Sequence, residues 1–161
     1  MKSPDPFYWS KLRAKSLKAH PLKRSPIVKK AVKIKKVGAS GSLGRLIQQA
    51  VTVFHKWIRE RDRVGDYFVC ISCGVEKHVR EMQATHYLPA GNNGAIRLNE
   101  HNVNGGCTTC NIDLHGNQDG YRIGLIAKIG LENVEALEAQ AKTPFKWDRE
   151  ELAGIIERYR V

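Results

Sequence analysis

The chain has no apolar run long enough to span a bilayer, and no signal-peptide-like stretch opens it, so neither membrane insertion nor export is expected. A reducing cytoplasm is therefore the default compartment. Aromatic residues are also sparse, at 7% of 161, beside 42% apolar residues, which allows a core of modest size and suits one domain with a tail. Acidic residues are nearly missing from the first forty positions, where Asp5 stands against twelve Lys or Arg. The remaining positions hold fifteen basic and fifteen acidic residues, so the whole formal charge of +11 belongs to that arm. A neutral body carrying a basic arm suits a nucleic-acid partner, because Lys and Arg bind phosphates by releasing counterions. The plain alternative is a solvated terminus that aids solubility. There is no internal repeat.

Cysteine is scarce too, but its four copies are organised. They form two C-x2-C pairs, Cys70-Ile71-Ser72-Cys73 and Cys107-Thr108-Thr109-Cys110, with 33 residues between them. Two disulfides are the alternative reading, yet in a reducing compartment paired C-x2-C motifs favour metal, and we expect one structural zinc per chain held by Cys70, Cys73, Cys107 and Cys110. Four thiolates leave zinc no open position. Such a metal keeps two distant segments in register and does not activate water.

Along the chain, Pro4, Pro6, Pro21, Pro26 and the run Gly38 to Ser42 break up residues 1–42, which read as a flexible arm and linker. Phe7-Tyr8-Trp9 is an aromatic exception that either docks on the body or stacks on bases. From Leu43 to Arg63 the apolar positions Leu43, Leu46, Ile47, Ala50, Phe54, Trp57 and Ile58 predict an amphipathic helix, with Ser42 as N-cap and Gly65 as its stop. Arg59, Arg61 and Arg63 complement its dipole or touch phosphate. Val79 to Tyr87 predicts a strand ending near His86, Arg97-Leu98 a resumed extended segment, and Asn99 to Gly106 irregular chain. A helix is expected from Cys107 or Thr108. Two more are expected at Tyr121–Lys128 and Leu131–Ala141, with Asp119 as a cap and Gly130 as the break. The last begins at Asp148, with Glu151 completing a capping box, Trp147 and Leu152 a hydrophobic staple, and Leu152, Ile155, Ile156 and Tyr159 on one face. The fold class is α+β.

His86 ends the predicted strand region, Asn102 stands five residues before Cys107, and Asn111 directly follows Cys110. The spacing Asn102-Val103-x3-Cys107-x2-Cys110-Asn111 resembles the HNH, or ββα-metal, nucleases, and Asn after the second pair resembles the phage recombination endonuclease VII group. Arg59-Glu60-Arg61-Asp62-Arg63, Cys70-x2-Cys73-Gly74, His86-Tyr87, Arg97-x-Asn99-Glu100-x-Asn102 and Cys107-x2-Cys110-Asn111 together resemble the NinG (Rap) recombination nuclease family of lambda-like phages over about residues 43 to 160.

The resemblance implies a zinc-stapled HNH-like core over residues 43–161 with flanking helices. It implies His86 as general base, Asn102 as the group that orients it, and Asn111 as ligand of a catalytic Mg²⁺ or Mn²⁺. Thr85 departs from the wider pattern, which places Asp there as a second metal ligand; Glu100 and Asp113 are the nearest substitutes. Leu114 stands where Lys is frequent, leaving His115 and Arg122 for phosphate contacts, and His101 is a reserve base or ligand. The implied activity is metal-dependent cleavage of branched DNA, Holliday junctions and D-loops, by a homodimer in the cytoplasm of an infected bacterial host, beside a phage recombinase or single-strand annealing protein. The competing readings are a non-catalytic zinc module that binds DNA or RNA, and an HNH nicking endonuclease with sequence preference. Deleting residues 1–40 is expected to weaken DNA binding and to flatten its salt dependence, measured as the slope of log affinity against log salt; an unchanged slope would make the arm a bystander.

Overall fold

The computed structural model describes residues 42–91 and 93–161, so the arm, including Phe7-Tyr8-Trp9, lies outside the described residues. The first helix, α1 (Leu43–Asp62), opens with the Ser42 hydroxyl accepting from Arg45 N at 3.4 Å. Its predicted stripe is the buried face: Ala50, Phe54 and Ile58 are fully buried and Leu46, Ile47 and Trp57 pack beside them. Gly65 does not stop this helix. The chain turns extended at Arg63, and Gly65, at φ +62, makes the hairpin between β1 (Arg63–Val64) and β2 (Tyr67–Val69), which pairs with β3 (Glu76–His78).

The expected strand at Val79–Tyr87 starts later, at β4 (Met82–His86), because Val79–Glu81 forms a 3-10 turn capped by the His78 imidazole, which accepts from Arg80 N at 3.1 Å. Its partner is not Arg97-Leu98, which lies in a turn, but β5 (Val103–Cys107). Val-Asn-Gly-Gly-Cys reads as loop in sequence, yet all five residues are buried because both faces of the ribbon are covered. The glycines let it fit. A Cβ on Gly105 would lie 2.5 Å from Met82 Cε, and one on Gly106 would lie 2.6 Å from Thr85 Oγ1.

After β5 the expected helix is a π-helical turn, Thr109–Asp113. Asn117, at φ +43, then stands at the N-cap of α2 (Gln118–Ile129), so Asp119 lies inside the first turn and is not the cap. Gly130, at φ +87, breaks to α3 (Leu131–Gln140), as expected. In α4 (Arg149–Arg158) the Asp148 carboxylate accepts from Glu150 N at 2.7 Å, one position short of the predicted Glu151. Leu152 and Ile156 bury against Phe54 and Ile58 of α1, with Trp147 beside them. The protein is thus mixed α+β. Among the described residues no helix is long and apolar enough to cross a membrane.

The ribbon has two distinct faces. Met82, Ala84 and His86, with Val103, Gly105 and Cys107, look toward α1; Gln83 and Thr85, with Asn104 and Gly106, look toward α2. One polar knot joins these layers. Asp62 accepts from Gly105 N at 2.8 Å, Arg61 Nε at 2.7 Å and Lys128 Nζ at 3.0 Å, while Lys128 also reaches Asn104 Oδ1 at 2.7 Å. Arg61 extends the knot to the carbonyls of Glu100 and Val103, both at 3.0 Å, so it is spent inward and is no phosphate contact.

Burial pushes the Asp62 carboxyl upward, but Lys128, Arg61 and the Gly105 N–H overcome it and leave its pKa at about 2, below the ordinary 3.8. The resulting stability is therefore present above pH 3.8 and lost as pH falls toward 2. Asp62→Ala, which leaves the Gly105 N–H without a partner and Lys128 with Asn104 alone, is expected to cost about 1–3 kcal/mol at pH 7. Urea denaturation of both proteins should show that gap shrinking as pH falls from about 4 toward 2.

Candidate functional site

The four cysteine sulfurs lie within 4.8 Å of one another. Zinc–sulfur bonds of about 2.3 Å in a tetrahedron need sulfurs roughly 3.8 Å apart, so the cluster fits a structural metal such as zinc. Gly74, at φ +68, closes the first loop by donating from its N–H to Cys70 O at 2.8 Å. Backbone and side-chain N–H groups aim at the sulfurs: Cys107 N lies 3.3 Å from Cys70 Sγ, Cys110 N 3.5 Å from Cys107 Sγ, and Asn117 Nδ2 3.5 Å from Cys110 Sγ. Burial pushes the Cys110 thiol up to about 11 and the Cys73 thiol upward; hydrogen bonds from Asn117 and from the Val75 backbone pull them partly back, while Cys70 adds to the first shift and Cys107 and Cys110 add to the second. Bound cation charge is what would let all four ionise together. Helix α2 sits directly on the first loop, since a Cβ on Gly124 would fall 1.9 Å from Ile71 O and one on Gly120 would fall 2.3 Å from Ser72 O.

His86 ends β4, half-buried, with Nε2 3.0 Å from the Arg97 carbonyl. With the proton on Nε2 donated to that oxygen, Nδ1 carries the lone pair. Burial lowers the His86 pKa below 6.5, the Arg97 carbonyl pulls it partly back, and the Arg97 charge lowers it again. The ring is therefore neutral at pH 7, the form that accepts a proton.

A second imidazole, His55 of α1, meets it edge to face, with centroids 5.3 Å apart at 61°. Burial first, then His86 and Arg59, push His55 down to about 4, and its Nε2 is buried without a hydrogen-bond partner. No sequence spacing marks His55. It flanks the apolar stripe, and only the packing of α1 on β4 brings the two rings together.

Asn102 is fully buried and does not orient the imidazole directly. Its Nδ2 hydrogens go to Leu88 O and Ile96 O, both at 3.1 Å, and its Oδ1 accepts from Leu88 N at 2.8 Å. It pins the loop that carries Arg97, whose carbonyl does the orienting.

Asn111 lies on the π-helical turn, where its Nδ2 donates a short hydrogen bond to Gln83 Oε1, on the ribbon face opposite His86. The structure therefore does not gather His86 and Asn111 on one face, and Gln83 is a neighbour that the motif spacing missed. Thr85 is buried, with its hydroxyl donated to Asn104 O at 3.0 Å. Neither expected acid replaces a carboxylate there. Glu100 is tied to α4, accepting from Tyr159 OH at 2.6 Å and lying 3.4 Å from Arg158. Asp113 is exposed two residues beyond Asn111, a separation that turns side chains apart on a helical turn. Arg122 is paired with Glu138 at 3.0 Å and so is not free for phosphate, whereas His101 and His115 are exposed.

The family model described as "Bacteriophage Lambda NinG protein" matches residues 9–161. The protein ninG of Escherichia phage lambda is 35% identical over 114 residues, covering 71% of this chain and 53% of the relative. That of Salmonella phage P22 is 34% identical over 114 residues, covering 71% and 54%. The chain thus spans about half the length of these curated relatives. No solved structure matches it.

His55→Leu is expected to raise the melting temperature at pH 7.5, because a buried nitrogen without a partner costs about 1–3 kcal/mol. The advantage should widen in acid. With its folded pKa near 4 and its ordinary value at 6.5, His55 takes up a proton first in the unfolded chain, so wild type loses stability as pH falls from 6.5 to 4 and the variant escapes that loss. Thermal melts at about pH 7.5 and pH 4.5 measure both effects.

Proposed function

The chain belongs to the bacteriophage lambda NinG family, and on that premise we propose that it is a DNA endonuclease that hydrolyses phosphodiester bonds in branched recombination intermediates, Holliday junctions and D-loops. The observation that carries this reading is the neutral His86, held through Nε2 by the Arg97 carbonyl so that Nδ1 can take a proton. A water molecule gives its proton to Nδ1 while its oxygen attacks phosphorus in line with the departing sugar oxygen, which leaves protonated by solvent. Asn102 serves at one remove, by fixing the loop that bears Arg97.

With its Nδ2 donated to Gln83 Oε1, Asn111 keeps its own amide oxygen as a hard donor that would suit a cation keeping most of its waters, such as Mg²⁺ or Mn²⁺. Such an ion would supply neutralisation of phosphate charge, but Asn111 faces away from His86 across the ribbon, so the two sites act on one phosphate only if a further donor brings the ion to the His86 face. One neutral amide binds it weakly. The structural zinc belongs to the four cysteines, and the basic arm suits the DNA backbone. Symmetric cutting of a junction requires two copies of the site, hence a homodimer. Thr85, where a carboxylate would strengthen metal binding, favours as the second reading a non-catalytic zinc module that binds DNA.

The test is incubation of the purified protein with a synthetic four-way junction and a matched linear duplex, with and without Mg²⁺ or Mn²⁺. Metal-dependent cutting of the junction is expected. Absence of any product removes the enzyme reading, and equal cutting of the duplex removes the preference for branches. His86→Ala is expected to lower the cleavage rate about 10²–10⁴-fold, with zinc content and DNA affinity retained. A variant that cuts at the wild-type rate takes the base role from His86.

A further inference from the structure

Three arginines alternate at the end of α1, and they meet different fates. Arg61 turns inward to Asp62, while Arg59 and Arg63 stay on the surface and, with Glu60, Val79 and Met82, line a pocket of about 200 Å³. Arg63 is partly committed: its Nε donates to Gly65 O at 3.0 Å, and its Nη1 and Nη2 lie 3.4 Å from Glu60 and 3.9 Å from Asp66. Arg59 has no hydrogen bond or ion pair among the described residues. It is the open guanidinium of the pocket, and Glu60 offsets Arg63 rather than it.

The position of the pocket gives it a meaning. His55 and Arg59 stand at i and i+4 on one face of α1, and Arg63 follows just past its end, where the chain turns extended. Met82, at the pocket, and His86, beside His55, share the face of β4 that looks toward α1. Helix and strand run antiparallel, so one seam carries the cationic pocket and then the imidazole pair. A free guanidinium fork beside the apolar walls of Val79 and Met82 suits a phosphate oxygen pair, which it binds bidentately.

We propose that this pocket receives a backbone phosphate of DNA, further along the same seam from His86. The inference rests on the nucleic-acid reading but not on cleavage. Arg59 is its principal ligand-binding residue, and Arg63 is secondary.

The test measures affinity of the full chain for a fluorescent four-way junction by anisotropy across a salt series, in buffer without added divalent cation, so that no cutting is needed. Arg59→Gln is expected to raise Kd about tenfold and to lower the slope of log affinity against log salt by about one. Arg59→Lys, which keeps charge but loses the fork, should fall between. Arg45→Gln, an exposed control at the other end of the same helix, should leave both values unchanged. Zinc content and thermal melting are checked for each variant. Unchanged affinity in Arg59→Gln, or an equal loss in Arg45→Gln, overturns the proposal. Calorimetric titration with inorganic phosphate forms the other arm: binding abolished by Arg59→Gln while DNA affinity stays intact would assign the pocket to a free anion and overturn it as well.

Discussion

Four largely buried thiols inside one small volume set the terms for everything around them. Desolvation holds the protons on Cys110 and Cys73, and a cation that binds all four sulfurs turns that penalty into cohesion. The cluster ties together unusually varied segments: the loop after β2, the end of β5, the π-helical turn and, through the bare backbones of Gly120 and Gly124, the helix α2. None of the first three has a large apolar surface of its own. Without the shared metal position there is little reason for a five-residue strand made of Val, Asn, Gly, Gly and Cys to stay buried on both faces.

The second organising element is polar. Asp62, Arg61, Lys128 and Asn104 form a knot in which each charge has a partner and the partners come from α1, β5 and α2. A knot of this kind contributes definition more than energy, because desolvating its members consumes much of the free energy their attraction returns. It fixes how α1 crosses the ribbon. That crossing brings His55 against His86 and leaves Arg59 and Arg63 along the seam.

Much of this was legible from the chain alone, and the remainder was hidden for physical reasons. The stripe of α1 and the apolar face of α4 were readable because amphipathic periodicity survives in sequence, and the sulfur cluster because four ligands at fixed spacing have few other uses. Strand β5 was not, since a strand covered on both faces by glycine-tolerant packing carries no alternation. The roles within the site were harder still. Asn102 sits where the motif places it, yet its amide is used up on Leu88 and Ile96, so its influence reaches His86 only through a carbonyl. His55 and Gln83 carry no motif, and only tertiary packing pairs them with His86 and Asn111.

The π-helical turn at Thr109–Asp113 adds a constraint of another kind. A π turn carries one residue more than an α turn needs, and each residue removed from a helical turn rotates the downstream chain by about 100°. Losing a single residue between Cys110 and Gly116 would swing the segment into α geometry and carry the Asn111 side chain away from Gln83, even with every functional residue still present. The chain can therefore accept changes of identity along this turn more readily than a change of length. Among related sequences, an insertion or deletion at this point would say more about the fate of the site than a substitution beside it.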